Sequence, residues 1–287
     1  MNKTIITQII PTVQGEGPSV GTPVLLIRMG NCNLECEWCD TKWSNTLKLK
    51  DIKKFNPKAK KVSLPIIVDE TNIDNFINYI NDQFLSKFAI TTILLTGGEP
   101  LMNKEFVGSL IYNKVSNLKN VTKIEIETNG TLLNDKTDYM LFYHWDKTIQ
   151  INISPKLDPS YYRSDKIKTI DDIIELFNNN RLISTDKIVE KSPTTITWKF
   201  VYSKADEESI EKFIKEVPNV SLINIMPLTP DYLNYEKEID FLEDFRKSSY
   251  DTLEYCMKTG YVFSPRMHVW VFNNFKHRDE YVDVRKK

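Results

Sequence analysis

Cysteine is scarce in this chain: four occur in 287 residues, three of them crowded between positions 32 and 39, with no fourth nearby. Scarcity of this kind excludes a disulfide framework and fits a reducing compartment. No apolar run approaches the ~18 residues of a membrane-spanning helix. The opening segment MNKTIITQII reads as a strand and carries no cleavage site of a secretory leader, so the cytoplasm is the expected location. An excess of one charge is missing too. Lys and Arg number 38 against 39 Asp and Glu, a net charge of −1, so no membrane or nucleic-acid partner is expected.

What is present reads as one globular α/β domain over residues 1–287, long enough to bury a core without staples. Apolar runs beginning at Val24, Thr91, Lys123, Thr148, Thr195 and Ser221 read as buried parallel strands. Helical stripes alternate with them: Ile73, Phe76, Ile77, Ile80 and Phe84; Ile170, Ile173, Ile174 and Phe177; Ile210, Phe213, Ile214 and Val217. Thr71 with Asp74, Thr169 with Asp172, and Ser203 with Asp206 are the expected capping boxes. Strand and helix in alternation predict a partial (β/α)6-type barrel, whose chemistry sits at the C-terminal ends of the strands. GNC, TGGEP, ETNG, ISPK and MPLTP all fall there, directly after apolar runs. Two inserted segments are expected, at 42–64 and 157–192. The first holds eight lysines against one acid, Asp51, and reads as a solvated loop or a docking patch.

Cys32, Cys36 and Cys39 form a C-x3-C-x2-C pattern. A structural zinc site or an ordinary [4Fe–4S] cluster takes four ligands, so three thiolates leave one iron open to a ligand. On the cysteines alone, a zinc knuckle or a redox thiol pair stays open as an alternative. Cys256, in YDTLEYCMKTG, reads as a buried free thiol on a helix.

The spacing, joined to TGGEP, resembles the radical S-adenosylmethionine (SAM) superfamily. That resemblance implies a [4Fe–4S] cluster on Cys32, Cys36 and Cys39, with SAM on the open iron. It places SAM against Trp38, Gly98, Glu99, Asn129, Ser154, Pro155 and Lys156. The further sequence PTVQGEGPSVGTPVLLIRMGNCN, the CDT that includes Asp40 and Thr41, and a late histidine resemble the 7-carboxy-7-deazaguanine synthase family. This second resemblance implies a lyase that turns 6-carboxy-5,6,7,8-tetrahydropterin into 7-carboxy-7-deazaguanine and ammonia. The substrate would meet Val13, Gln14, Gly15, Glu16, Arg28, Thr96, Glu127 and His268, with Mg2+ on the Thr41 hydroxyl. A flavodoxin- or ferredoxin-type electron donor and a homodimer are implied as well.

The residues taken singly allow plainer readings. Thr41 is equally a cap or turn residue, His268 a structural histidine, and Arg28 with Glu127 a salt bridge. Of Glu125 and Glu127, one is expected to face solvent. Arg266 stands where the family often has glutamine, and the chain continues from Val269 to Lys287, where many members end. Two rivals share the cysteine pattern: an activase of glycyl-radical enzymes, and a non-catalytic metal-binding module associated with RNA through its lysines.

Overall fold

The computed structural model describes residues 3–272 apart from 46, 57–61, 115–116, 134–147, 180–193, 219, 221 and 232–233. Ten strands form one sheet in the order β10-β9-β8-β7-β6-β5-β2-β1-β4-β3. They are β1 Thr4–Val13, β2 Pro23–Met29, β3 Lys53–Lys54, β4 Ile66–Val68, β5 Thr92–Gly97, β6 Lys123–Thr128, β7 Thr148–Ile153, β8 Thr195–Tyr202, β9 Ile223–Pro227 and β10 Val262–Phe263. Neighbours from β2 through β5 to β10 pair in parallel, while β1 runs antiparallel to both β2 and β4. The six runs expected as parallel strands are β2 and β5 to β9. The sheet is an open, partial barrel with β10 and β3 at its edges.

Strand periodicity explains how an apolar sequence builds a polar interior. Successive side chains alternate between faces. Ile93, Leu95, Ile124, Ile126, Ile149, Ile151, Trp198 and Phe200 belong to the buried apolar core. The residues between them, Glu125, Gln150, Asn152, Thr197 and Lys199, are buried and polar. Register aligns that second set into rows: Glu125 with Gln150, Glu127 with Asn152, and Lys199 with Asn224. Glu125 and Glu127 are two residues apart and therefore share a face. The expectation that one of them meets solvent is corrected by this parity: Glu125 is fully buried and Glu127 is 17% exposed.

Helices cover the apolar face. Helix α1 (Ile73–Ile80) buries Ile73, Phe76, Ile77 and Ile80, and a wider turn carries the stripe on to Phe84. A short helix α2 (Lys104–Gly108) buries Phe106 and Val107. Helix α3 (Ile170–Asn178) opens with the expected capping box, Thr169 and Asp172 satisfying each other's backbone N–H. Helix α4 (Glu207–Glu216) buries Ile210 and Phe213, and α5 (Glu238–Thr259) carries the buried Cys256 thiol as expected. Among the described residues the last helix is α6 (Met267–Phe272).

Two expected boxes are not formed. Asn72 takes the cap position of α1 while the Thr71 hydroxyl donates to Asp69 at 2.7 Å. The Ser203 hydroxyl donates to the Asp206 carboxylate at 2.6 Å, within a 3-10 turn that precedes α4. The lysine-rich stretch also differs from a wholly solvated loop. Its Phe55 is buried against Phe76 and Tyr79, and β3 pairs with β4. The later part of the 157–192 segment and the tail from 273 lie outside the described residues.

Candidate functional site

A cavity of about 240 Å3 opens at the C-terminal ends of the strands. Cys32, Cys36, Cys39, Thr41, Trp38, Gly98, Asn129, Ser154, Lys156, Val13, Gln14, Gly15, Glu16, Arg28, Thr96, Glu127 and His268 all line it. Of the residues expected there, Glu99 and Pro155 are not brought to it.

The cysteine loop leaves β2 through Asn31, whose φ of 69° starts the turn. The TGG segment after β5 packs directly on this departure. Gly98 N–H donates to Met29 O at 3.0 Å and Glu99 N–H to Asn31 O at 2.8 Å. A Cβ on Gly97 would lie 2.2 Å from Met29 O, and one on Gly98 would lie 1.9 Å from Asn31 O. The two glycines therefore serve the approach of one loop to another. Glu99 is fully buried behind the cavity wall. Its carboxylate accepts from Leu101 N–H (2.9 Å), the Thr128 hydroxyl (2.7 Å) and Asn129 N–H (2.7 Å), so it fixes Asn129 at the end of β6.

Polar hydrogens surround the sulfurs. Leu34 N–H points at Cys32 Sγ at 3.4 Å, Asn129 Nδ2 stands 3.9 Å from the same atom, and Asn45 Nδ2 is 3.7 Å from Cys39 Sγ. The Thr41 hydroxyl lies 3.6 Å from Cys39 Sγ. The Lys156 ammonium sits 4.7 Å from the Trp38 ring centroid and donates to Ser154 Oγ at 3.0 Å. Burial pushes the Cys32 thiol up and the Cys36 thiol up to about 11, although Lys156 pulls both down. All three thiols are free, face one space and have amide donors about them, a donor set suited to an iron–sulfur cluster. No trio of His, Cys, Asp or Glu among the described residues is drawn about a single ion-sized point, and a cluster asks for none, since each thiolate holds its own iron.

The other end of the cavity is ionic. Lys199, 1% exposed on β8, lies 2.9 Å from Glu16 and 2.5 Å from Glu127. Arg266 donates to Glu16 Oε1 (2.9 Å), Asp40 Oδ2 (2.7 Å) and Thr229 Oγ1 (2.6 Å). Gln14 Nε2 donates to Glu125 at 2.9 Å and Glu127 at 3.1 Å, and Asn152 Nδ2 to Glu127 at 2.9 Å. Below them Glu125 is paired with Lys123 at 2.6 Å. Arg28 donates to the Gln8 amide oxygen at 3.0 Å and has no acidic partner among the described residues, so no Arg28–Glu127 salt bridge forms there.

Burial alone would raise the Glu16 carboxyl, but Lys199, Arg266 and His268 hold it well below the usual range. Burial raises Glu127 despite Lys199, with the neighbouring Glu16 charge adding to the rise. Burial alone would raise Asp40, but Arg266, His268 and Arg28 together hold it below the usual range. His268 is brought down to about 4, chiefly by burial. Its ring packs on Gly15, where a Cβ would lie 2.2 Å from Nδ1.

Sequence reasoning missed Lys199, Asn152 and Gln8, and treated Arg266 only as a departure. Lys199 carried a usable signal: it is the lone charge within TITWKFVY. Asn152 and Gln8 had none.

The chain is similar to several known proteins. The Radical SAM superfamily matches residues 26–189. A 7-carboxy-7-deazaguanine synthase of Rickettsia prowazekii is 33% identical over 190 residues, 66% of this chain and 65% of that protein. The one from Hyperthermus butylicus is 23% identical over 276 residues, 93% and 92% of the two chains. The match to the Aquifex aeolicus protein of the same name spans 59% of its length, so it and the Rickettsia protein are each covered over less than two thirds. QueE from Escherichia coli superposes with a TM-score of 0.57 at 19% identity, over 93% of this chain and 95% of that one, and shares the fold.

Proposed function

This chain belongs to the radical SAM superfamily, and we propose that it converts 6-carboxy-5,6,7,8-tetrahydropterin to 7-carboxy-7-deazaguanine with loss of ammonia, supplying 7-deazapurine biosynthesis of the queuosine or archaeosine type. The observation that carries this reading is the joining of two unlike ends in one cavity. Three thiols meet a recess that offers carboxylates, amides and the Arg28 guanidinium, which donates to the Gln8 amide oxygen. A [4Fe–4S] cluster with SAM supplies, when bound, the reductive cleavage that yields a 5′-deoxyadenosyl radical.

The protein's part is binding and orientation. An aminopyrimidinone edge presents N–H donors beside a carbonyl. Glu16, Glu127 and the Gln14 carbonyl are acceptors for the first, and the Arg28 fork suits the substrate carboxylate. On the cofactor side, Trp38, Gly98, Asn129, Ser154 and Lys156 border the space left to SAM, Glu99 fixes Asn129 from behind, and Pro155 joins Ser154 to Lys156 in the chain. Val13, Gly15, Thr96 and His268 complete the pterin walls. The Thr41 hydroxyl offers Mg2+ one oxygen, and a cation that keeps most of its waters needs little more from the protein. The enzyme works in the cytoplasm as a homodimer and takes its electron from a flavodoxin- or ferredoxin-type protein. No helix among the described residues is long and apolar enough to cross a membrane.

The test is an anaerobic assay of the cluster-loaded chain with the carboxypterin, SAM, Mg2+ and dithionite. Deazaguanine carboxylate and ammonia in equal amounts are expected. Deoxyadenosine without the deazapurine would leave the superfamily standing and overturn the substrate.

A further inference from the structure

The lysine-rich stretch is not absorbed by the reaction, and the fold holds it against the cysteine loop. Ser44 O accepts from Asn31 N–H at 2.9 Å, Asn45 Nδ2 reaches Cys39 Sγ, and Leu47 packs on Gly30. At its other end Phe55 is buried against α1. A merely solvated charge run has no use for such anchors. Between them Lys42, Lys48, Lys50 and Lys53 are exposed, while Lys54 is tied to Asp69 at 2.8 Å. Two large apolar side chains stand among the lysines, Trp43 at 38% and Leu49 at 47% exposure, and Trp43 also lines the cavity. Lys48 follows Asn45 by three residues, so its Cα lies at most about 11 Å from the Cα of a residue that touches a cysteine sulfur.

We propose that Lys42, Trp43, Lys48, Leu49, Lys50 and Lys53 form the docking face for an acidic one-electron carrier protein. The inference rests on the function proposed above, which needs an electron delivered from outside. A carrier must approach the surface next to the thiols, and this surface has the composition of a docking patch: exposed apolar side chains among four exposed lysines, with Asp51 as its one acid. Of the acids on the cysteine loop, Glu35 is taken up by Arg163 at 2.8 Å and Glu37 is exposed. RNA is the less favoured occupant, since the chain as a whole has a net charge of −1 and the patch adjoins a redox centre.

The experiment compares the cluster-loaded wild type with a Lys48→Glu/Lys50→Glu/Lys53→Glu variant. Cluster reduction is followed by stopped-flow absorbance, once with dithionite and once with reduced flavodoxin. The dithionite rate should be equal in the two proteins, which also shows that the variant folds. The flavodoxin rate should fall about tenfold in the variant, and in the wild type it should fall as salt is raised. Equal flavodoxin rates, or a wild-type rate indifferent to salt, would overturn the proposal. So would wild-type binding of tRNA that the variant loses while its flavodoxin rate is kept. If the variant fails to load a cluster, the Lys→Gln triple variant and the wild-type salt series carry the same test. Cluster reduction does not depend on the pterin, so a wrong substrate leaves this result readable.

Discussion

At one end of the cavity three thiols arrive from a single short loop and are met by amides and hydroxyls. At the other, charged side chains come from all along the chain and are joined by bonds spanning 183, 226 and 250 residues. The first end is a local device: spacing alone sets which atoms meet. The second is made by the sheet, whose register sets Glu127 beside Asn152 and, one strand further, Lys199 within reach. The first end should therefore fail one ligand at a time, and the second as a network.

The largest expected effect lies at the local end. Serine at Cys32, Cys36 or Cys39 should abolish the reconstituted cluster, since a hydroxyl is a poor ligand for a soft site. Serine at Cys256, buried on α5, should leave its absorbance intact. Loss of the cluster in the Cys256 variant would erase the distinction between loop thiols and core thiol.

Lys199→Met probes the networked end. It strands Glu16 and Glu127 with no ammonium between them, and breaking a buried pair in this way costs about 3–5 kcal/mol. Denaturant unfolding measures it, and pH gives the sign. In the native chain the lowered Glu16 carboxyl contributes stability above its unfolded value of ~4.3, lost as pH falls through the folded value. Glu127, raised by burial, already works in the opposite direction. Without Lys199 both carboxyls move upward from their native values, Glu16 less so because Arg266 still pairs with it, so the variant should gain on the native protein as pH falls toward 5. A deficit that is the same at every pH would deny that stranded carboxylates cause it.

Arg266→Gln removes the guanidinium but keeps a hydrogen-bonding side chain, and should act less severely. It removes charge-assisted bonds to Glu16 and Asp40, each worth about 1.5–3 kcal/mol. The KM for the carboxypterin should rise by one to two decades with the cluster spectrum unchanged. An altered spectrum with an unchanged KM would assign Arg266 to the cysteine loop through Asp40, and not to the pterin pocket.

The same contrast explains what the sequence disclosed. The parallel strands, the helical stripes and the cysteine loop depend on spacing within one segment, and each was legible. Charge partners depend on which strands become neighbours and which parity faces inward, and no single segment contains that. Glu125 shows the difference: its strand was read correctly, its face was not. Glu99 shows another: GGEP was legible as a motif, but its carboxylate turns back to hold Thr128 and Asn129, a contact set by loop packing.

The smallest expected effect concerns His268, beside Gly15 and Glu16 at the ionic end. Its value of about 4 is set first by burial, with Arg266 and Arg28 pressing it down and Glu16 and Asp40 pulling it up. The ring is therefore neutral at physiological pH and cannot deliver a proton as imidazolium. Between its unfolded value of ~6.5 and about 4 the unfolded chain binds a proton that the native chain refuses, so this group's contribution to stability is full above 6.5 and declines as pH falls through that window. An NMR titration, with the resonance assigned by its loss in His268→Gln, should show no change from pH 8 to 6. A limb near 6.5 would place the ring in water. Arg266→Gln supplies the sharper version: it removes a repelling cation and frees Glu16 to act on the ring, so the His268 value should move upward. An unmoved value would mean that burial alone sets it, and that the network ends short of the histidine.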